Sequence, residues 1–122
     1  MPQRPDDPLI PADATLWRRI IPSWCSDDLD RPQKVAFQDT LSGEVSFYVA
    51  GEISIDEILA QRPQDRIVEV DAAFVRAKGY TLVRDPDHGG PGHVIMCPPD
   101  GIGRSKLDRD AREIAEHCRW VR

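Results

Sequence analysis

Residues 53–58, Ile-Ser-Ile-Asp-Glu-Ile, tie the start of a helix to one position. Ser54 is placed to accept the amide proton of the third helical residue, Glu57 reaches back to the amide of Ser54, and Ile53 packs on Ile58 across the cap. The helix that opens at Ile55 must end before Pro63, which has no amide donor. Around it the chain reads as short strands and short helices. LWRRIIP (16–22) is a strand stopped by Pro22. KVAFQDT (34–40) and EVSFYVAG (44–51) read as two strands joined by a turn at 41–43, because β-branched and aromatic residues recur there with a period of two. In the second, Val45, Phe47 and Val49 share one face, and Ser46 and Tyr48 the other.

RIVEV (66–70) is a further strand. Asp71 is expected to cap a short helix over DAAFVRAKG, stapled by Val70 and Val75 and closed by Gly79. YTLVR (80–84) and HVIMC (93–97) pair as antiparallel strands across a long turn. In SKLDRDAREIAEHCRWVR (105–122), Ser105 serves as N-cap, and Leu107, Ala111, Ile114 and Cys118 form one apolar stripe. On the exposed face Asp108/Arg112, Arg109/Glu113 and Arg112/Glu116 add about 0.2–0.5 kcal/mol each, and Trp120 and Val121 add a last edge strand. Hairpins and helices interleave without a βαβ rhythm. The expected fold is therefore a single α+β domain over residues 16–122, a mainly antiparallel sheet with about three helices packed on it. Residues 1–15, with Pro2, Pro5, Pro8 and Pro11 among acidic residues, are expected to form a flexible arm.

A chain of 122 residues is long enough for one core and short of a second. With 40% hydrophobic and 30% charged residues, it falls in the globular range rather than the disordered or membrane classes. No apolar run approaches the roughly 20 residues of a spanning helix, and residues 1–15 lack the apolar core of a secretory signal, so a cytoplasmic location is expected. Cys25, Cys97 and Cys118 are odd in number and widely spaced, which predicts reduced thiols rather than a disulfide framework. The net charge of −5 disfavours bulk attraction to nucleic acid. Thirteen of the sixteen basic residues are arginine, whose planar fork suits carboxylate or phosphate. GIGRS (101–105) lacks the lysine and spacing of a phosphate loop, and no cofactor is expected.

Three constellations carry candidate chemistry. His88, His93 and Cys97 lie close in sequence, but a tetrahedral metal site wants close ligand pairs from two segments. On a straight strand Cys97 would sit about 13 Å from His93, at ~3.3 Å per residue, so no metal site is expected there. Cys25, after Trp24, is the cysteine best placed for nucleophilic chemistry with His93 as partner, yet no nucleophile signature surrounds it. The third set is acid/base and anion-binding: Arg18, Arg19, Asp39, Arg84, Asp85 and His93. Of these, Arg84, Asp85 and His93 flank one loop, where function concentrates, with His93 as general base and Arg84 as anion clamp.

The short strings Arg18-Arg19-Ile20, Ala36-Phe37-Gln38-Asp39, Ser46-Phe47-Tyr48, Arg84-Asp85-Pro86 and Pro91-Gly92-His93-Val94 resemble those of small bacterial proteins of unassigned function, over roughly residues 16–121. The resemblance implies a bacterial cytoplasmic protein and draws interest to Asp39, Arg84 and His93, without an activity to carry across. The leading expectation is a non-catalytic protein-binding module of accessory or immunity type that docks through an acidic surface, with no membrane or bulk nucleic-acid partner. The competing expectation is a small hydrolase or transferase on an anionic substrate, with Asp39, Arg84 and His93 as its site. A metal-binding domain is the third.

Overall fold

The computed structural model describes residues 3–25, 31–38 and 44–122. Six strands form one sheet: β1 (Thr15–Ile20), β2 (Val45–Val49), β3 (Arg66–Asp71), β4 (Thr81–Arg84), β5 (His93–Cys97) and β6 (Arg119–Trp120). Their order is β4-β5-β2-β1-β3-β6, with every neighbouring pair antiparallel. The helices among the described residues are α1 (Ile55–Leu59), α2 (Ala72–Ala77), the single turn α3 (Pro86–Gly89) and the longer α4 (Arg104–His117). The α+β class read from the sequence is the class observed. None of the described helices is long and apolar enough to cross a membrane.

Alternation along the strands sends one row of side chains into the core. Leu16 and Ile20 of β1, Phe47 of β2, Val68 of β3, Leu82 of β4 and Val94 of β5 are all fully buried, each such side chain contributing about 1.5–3 kcal/mol. Ala111, Ile114 and Ala115 of α4 and Val75 of α2 close over this row. The Ile55 helix begins as the sequence dictates: Ser54 Oγ accepts the Glu57 amide at 3.1 Å, and the Glu57 carboxylate accepts the Ser54 amide at 3.3 Å.

Several local expectations are corrected. Lys34–Phe37 is a 3-10 turn, not a strand. Ala36 and Phe37 are consecutive and both buried in the one core cluster, which a tight turn allows without sending neighbouring side chains to opposite faces as a strand would. The turn is pinned to α4 by Lys34 Nζ and Gln38 Nε2, 2.6 and 3.3 Å from Asp108 Oδ1. Asp71 is at the N-cap of α2 but makes no capping bond; its carboxylate lies 3.5 Å from His117 Nε2. Helix α4 opens after Gly103, not Ser105. Of the pairs expected on it, Asp108–Arg112 forms at 2.8 Å, while Glu113 turns to Lys78 at 3.0 Å. The turn at 41–43 and the acidic cluster Asp27, Asp28 and Asp30 lie outside the described residues.

The proline-spaced segment expected to be a flexible arm lies, from residue 3 onward, along the free edge of β4. Prolines keep it extended, and its carboxylates do the pairing that a strand would do. The Leu82 amide donates to Asp6 Oδ1 at 2.9 Å, and the Asp7 amide donates to the Leu82 carbonyl at 2.9 Å. Gln3 Nε2 donates to the carbonyls of Gly79 and Cys97 at 2.9 and 3.1 Å, and Arg76 holds Asp6 at 3.0 Å. Covering an edge this way removes a template for unwanted strand pairing. Ile10 is 1% exposed and belongs to the main core. Ile10→Ala is therefore expected to destabilise the protein by about 2–5 kcal/mol in urea unfolding; a loss below about 0.5 kcal/mol would show that the segment is not docked in solution.

Candidate functional site

The β4–β5 hairpin brings His93 and Arg84 to the same end of the sheet but not to the same side. Arg84 pairs with Val94. Because directly paired residues share a face, Arg84 projects with Val94 and Leu82, and His93 projects to the other face. Arg84 is also already engaged. Its Nη1 and Nη2 donate to the two Glu52 carboxylate oxygens at 2.6 and 3.0 Å, and its Nε lies 3.4 Å from Asp7. The fork on Arg84 holds the Glu52 carboxyl below its usual range, a two-pronged geometry that leaves little of the guanidinium for a ligand.

His93 is 8% exposed. Its Nδ1 lies 2.9 Å from the Asp85 carbonyl, and the Asp85 amide donates back to the His93 carbonyl at 2.9 Å. A carbonyl only accepts, so Nδ1 carries the proton. The ring meets the Tyr48 ring edge-on at 5.3 Å and lies so close over Gly89 that a Cβ there would overlap it. Gly89 is thus required by close approach. These contacts make His93 the peg of the loop. Asp39 lies outside the described residues, so the expected trio reduces to two residues that do not converge. What the loop does assemble is Asp85 with His88, Oδ1 to Nδ1 at 2.7 Å. This bond raises the His88 pKa and lowers that of Asp85.

Among the described residues no group of three or more His, Cys, Asp or Glu is gathered in a way that could hold a metal ion, and His88, His93 and Cys97 are no exception. All three cysteines are free. Burial, then the neighbouring Glu44, pushes the Cys97 thiol up; burial pushes Cys118 up to about 11. Both shifts suppress the nucleophilic thiolate. The backbone at Cys25 forms an isolated antiparallel β-bridge with Pro32, and its thiol is free.

A different cleft, of about 200 Å³, is lined by Arg18, Arg19, Ile21, Trp24, Ser46 and Tyr48. Two of these are the arginines named in the anion-binding set; the aromatic and hydroxyl partners were not foreseen. The cleft opens where β1 leaves β2: the β1–β2 pairing covers Leu16 and Trp17, whereas β1–β3 continues to Ile20. The Arg18 guanidinium spans the gap. Its Nε donates to the Ala36 carbonyl at 2.6 Å, its Nη1 donates to the Ser46 carbonyl at 2.8 Å, and its Cζ lies 5.1 Å from the Trp24 ring centroid. All of these partners are neutral. Burial, then the charge of Arg19, brings the Arg18 pKa down to about 10, the shift of a cation that lacks a counter-charge. Arg19, by contrast, donates from Nη1 to the fully buried Asp65 carboxylate at 2.8 Å. One signal for this site was present in the sequence: Leu16, Arg18 and Ile20 are i, i+2, i+4 on one strand, which places a cation in an apolar row.

No family model, curated protein or solved structure matches this chain. The site is therefore read from its own geometry.

The Asp85–His88 contact gives a pH prediction. His88 should titrate above its ordinary value near ~6.5, and Asp85→Asn should return it to that value. The folded-state pKa of His88 is raised, so what the pair adds to stability is present below about pH 6.5 and is lost as pH rises through the raised value. At acid pH it is lost again as Asp85 is protonated. NMR titration of the His88 ring reads this directly, and a midpoint that Asp85→Asn leaves unmoved would refute the contact.

Proposed function

We propose that this chain is a non-catalytic binding module that docks on a protein partner through its acidic surface, as an accessory or immunity-type component of a bacterial cytoplasm. The observation that carries this reading is the engagement of the polar groups a catalytic reading needs. The Arg84 fork is closed on Glu52, and His93 is buried on the opposite face of the sheet with its Nδ1 on a backbone carbonyl. A hydrolase or transferase that used these two as clamp and base would need them on one side of one pocket. What the surface offers instead is excess negative charge. Exposed Asp13, Asp87 and Glu116 stand outside the ion pairs that neutralise most other carboxylates. Such charge steers association with a basic partner and weakens with salt.

The test is gentle isolation from native cells followed by reconstitution. A protein that co-purifies in fixed proportion should rebind the purified chain, with affinity falling at least tenfold between about 0.05 and 0.5 M salt as exposed charges are screened. Charge reversal at Asp87 and Glu116 should weaken the complex without changing the melting temperature. A turnover by the isolated chain that disappears in His93→Ala would overturn the reading, as would a complex indifferent to both salt and charge reversal.

A further inference from the structure

Among the described residues, the cleft between β1 and β2 is lined by two arginines and no carboxylate. Arg19 is matched by Asp65. Arg18 bonds only to neutral oxygens, two carbonyls and a hydroxyl, and no carboxylate among the described residues comes within ion-pair reach of it. Shielding a cation from water without a counter-charge is unfavourable. The arrangement becomes favourable when an anion completes it. A second cleft, of about 250 Å³, around Glu69, Asp71, His117 and Arg119 offers no such imbalance, because Arg119 closes on Glu69 at 2.9 Å and His117 on Asp71 at 3.5 Å.

The open valences of the Arg18 cleft define the ligand. Nε is committed to the Ala36 carbonyl and Nη1 to the Ser46 carbonyl and hydroxyl, which leaves Nη2 to donate. Its N–H groups make charge-assisted hydrogen bonds of the kind a carboxylate oxygen accepts. The Ser46 hydroxyl accepts from Nη1 at 3.5 Å and keeps its own O–H to donate to a ligand beside it. One uncompensated positive charge asks for a monoanion, because a dianion such as phosphate would carry a surplus negative charge into a shielded cleft. Arg19 and Ser46 keep much of the lining polar, while Trp24, Tyr48 and Ile21 supply an aromatic and apolar part of the wall against which a flat or apolar ligand body can lie.

We propose that the Arg18 cleft binds a small monocarboxylate with an aromatic or apolar body, the carboxylate on Nη2 of Arg18 and the body against Trp24 and Tyr48. This site goes beyond the docking function and stands whether or not a protein partner exists.

The experiment is an NMR titration of the full chain at constant ionic strength, following the Arg18 Nε–H and Trp24 indole N–H signals. The probes are phenylacetate, acetate, phenylacetamide, inorganic phosphate and chloride. Phenylacetate is expected to shift both signals saturably, with acetate at least tenfold weaker and phenylacetamide, phosphate and chloride without saturation. Arg18→Lys, which keeps the charge and removes the fork, should weaken phenylacetate at least tenfold. Trp24→Leu should weaken phenylacetate but not acetate, and Arg84→Met, outside the cleft, should leave binding unchanged. If Arg18→Lys does not fold, the Trp24→Leu contrast and the amide control decide alone. Equal binding of phenylacetamide, equal or tighter binding of phosphate, unchanged affinity in Arg18→Lys, or phenylacetate shifts as linear as those of chloride would each overturn the proposal.

Discussion

The register of β1 is the constraint on which the rest of this structure depends. β1 pairs with β3 from Thr15 to Ile20 and with β2 at Leu16 and Trp17, so it joins the two halves of the sheet. Its inward row is Leu16, Arg18 and Ile20, of which Leu16 and Ile20 are wholly removed from water. A slip of one residue would turn both outward and replace them with Trp17 and Arg19, exposing the centre of the core. The register that buries the two aliphatic residues also carries Arg18 inward. An arginine in that row must find hydrogen-bond partners near the core, and it does so by taking the carbonyls of Ala36 and Ser46 where β1 and β2 part.

Elsewhere charges are spent on fastening elements that the core alone would hold loosely. Asp6 and Asp7 tie the N-terminal segment to Arg76, Arg84 and the edge of β4. Lys34 and Gln38 tie a single 3-10 turn to α4 through Asp108. Asp110, 3% exposed, accepts the Tyr80 hydroxyl at 3.0 Å and Lys106 Nζ at 2.5 Å, which joins α4 to the start of β4. Exposed pairs of this kind contribute little singly, but most here link segments more than thirty residues apart, and the Lys78–Glu113 pair is partly buried. The same economy shows beside the glycine-rich loop, where Arg84 is closed on Glu52 and Asp7 and His93 braces the loop through the Asp85 carbonyl.

Local signals were legible in the sequence, and relations between distant segments were not. The Ser54–Glu57 capping box and the Val45, Phe47, Val49 row follow from interactions within six residues, and both are present as read. The 3-10 turn over Lys34–Phe37 was not legible, because four residues of alternating character suit a strand as well as a turn. Only α4, seventy positions later, makes it favourable to bury Ala36 and Phe37 together. The separation of Arg84 from His93 is a matter of parity. The loop sets Arg84 opposite Val94, and a loop one residue different would have set it opposite His93, on the same face. Composition cannot supply that count. The docked N-terminal segment was missed for a related reason: prolines forbid a strand but not an extended run whose carboxylates stand in for carbonyl acceptors.

Arg18 differs from the other inward-facing groups in what would replace it. The carbonyls of Ala36 and Ser46 need donors, and Ser46 is exposed, so water would serve one of them. An aliphatic residue at position 18 would continue the Leu16 and Ile20 row without the cost of shielding a charge. The arginine therefore lowers the stability of the unliganded sheet relative to that alternative. It also spans the gap where β1 and β2 part, which a guanidinium, a hydroxyl and two aromatic rings line. A strand position that trades packing for an unpaired donor set is what a preorganised anion site requires, because the desolvation has been borne in folding before any ligand arrives.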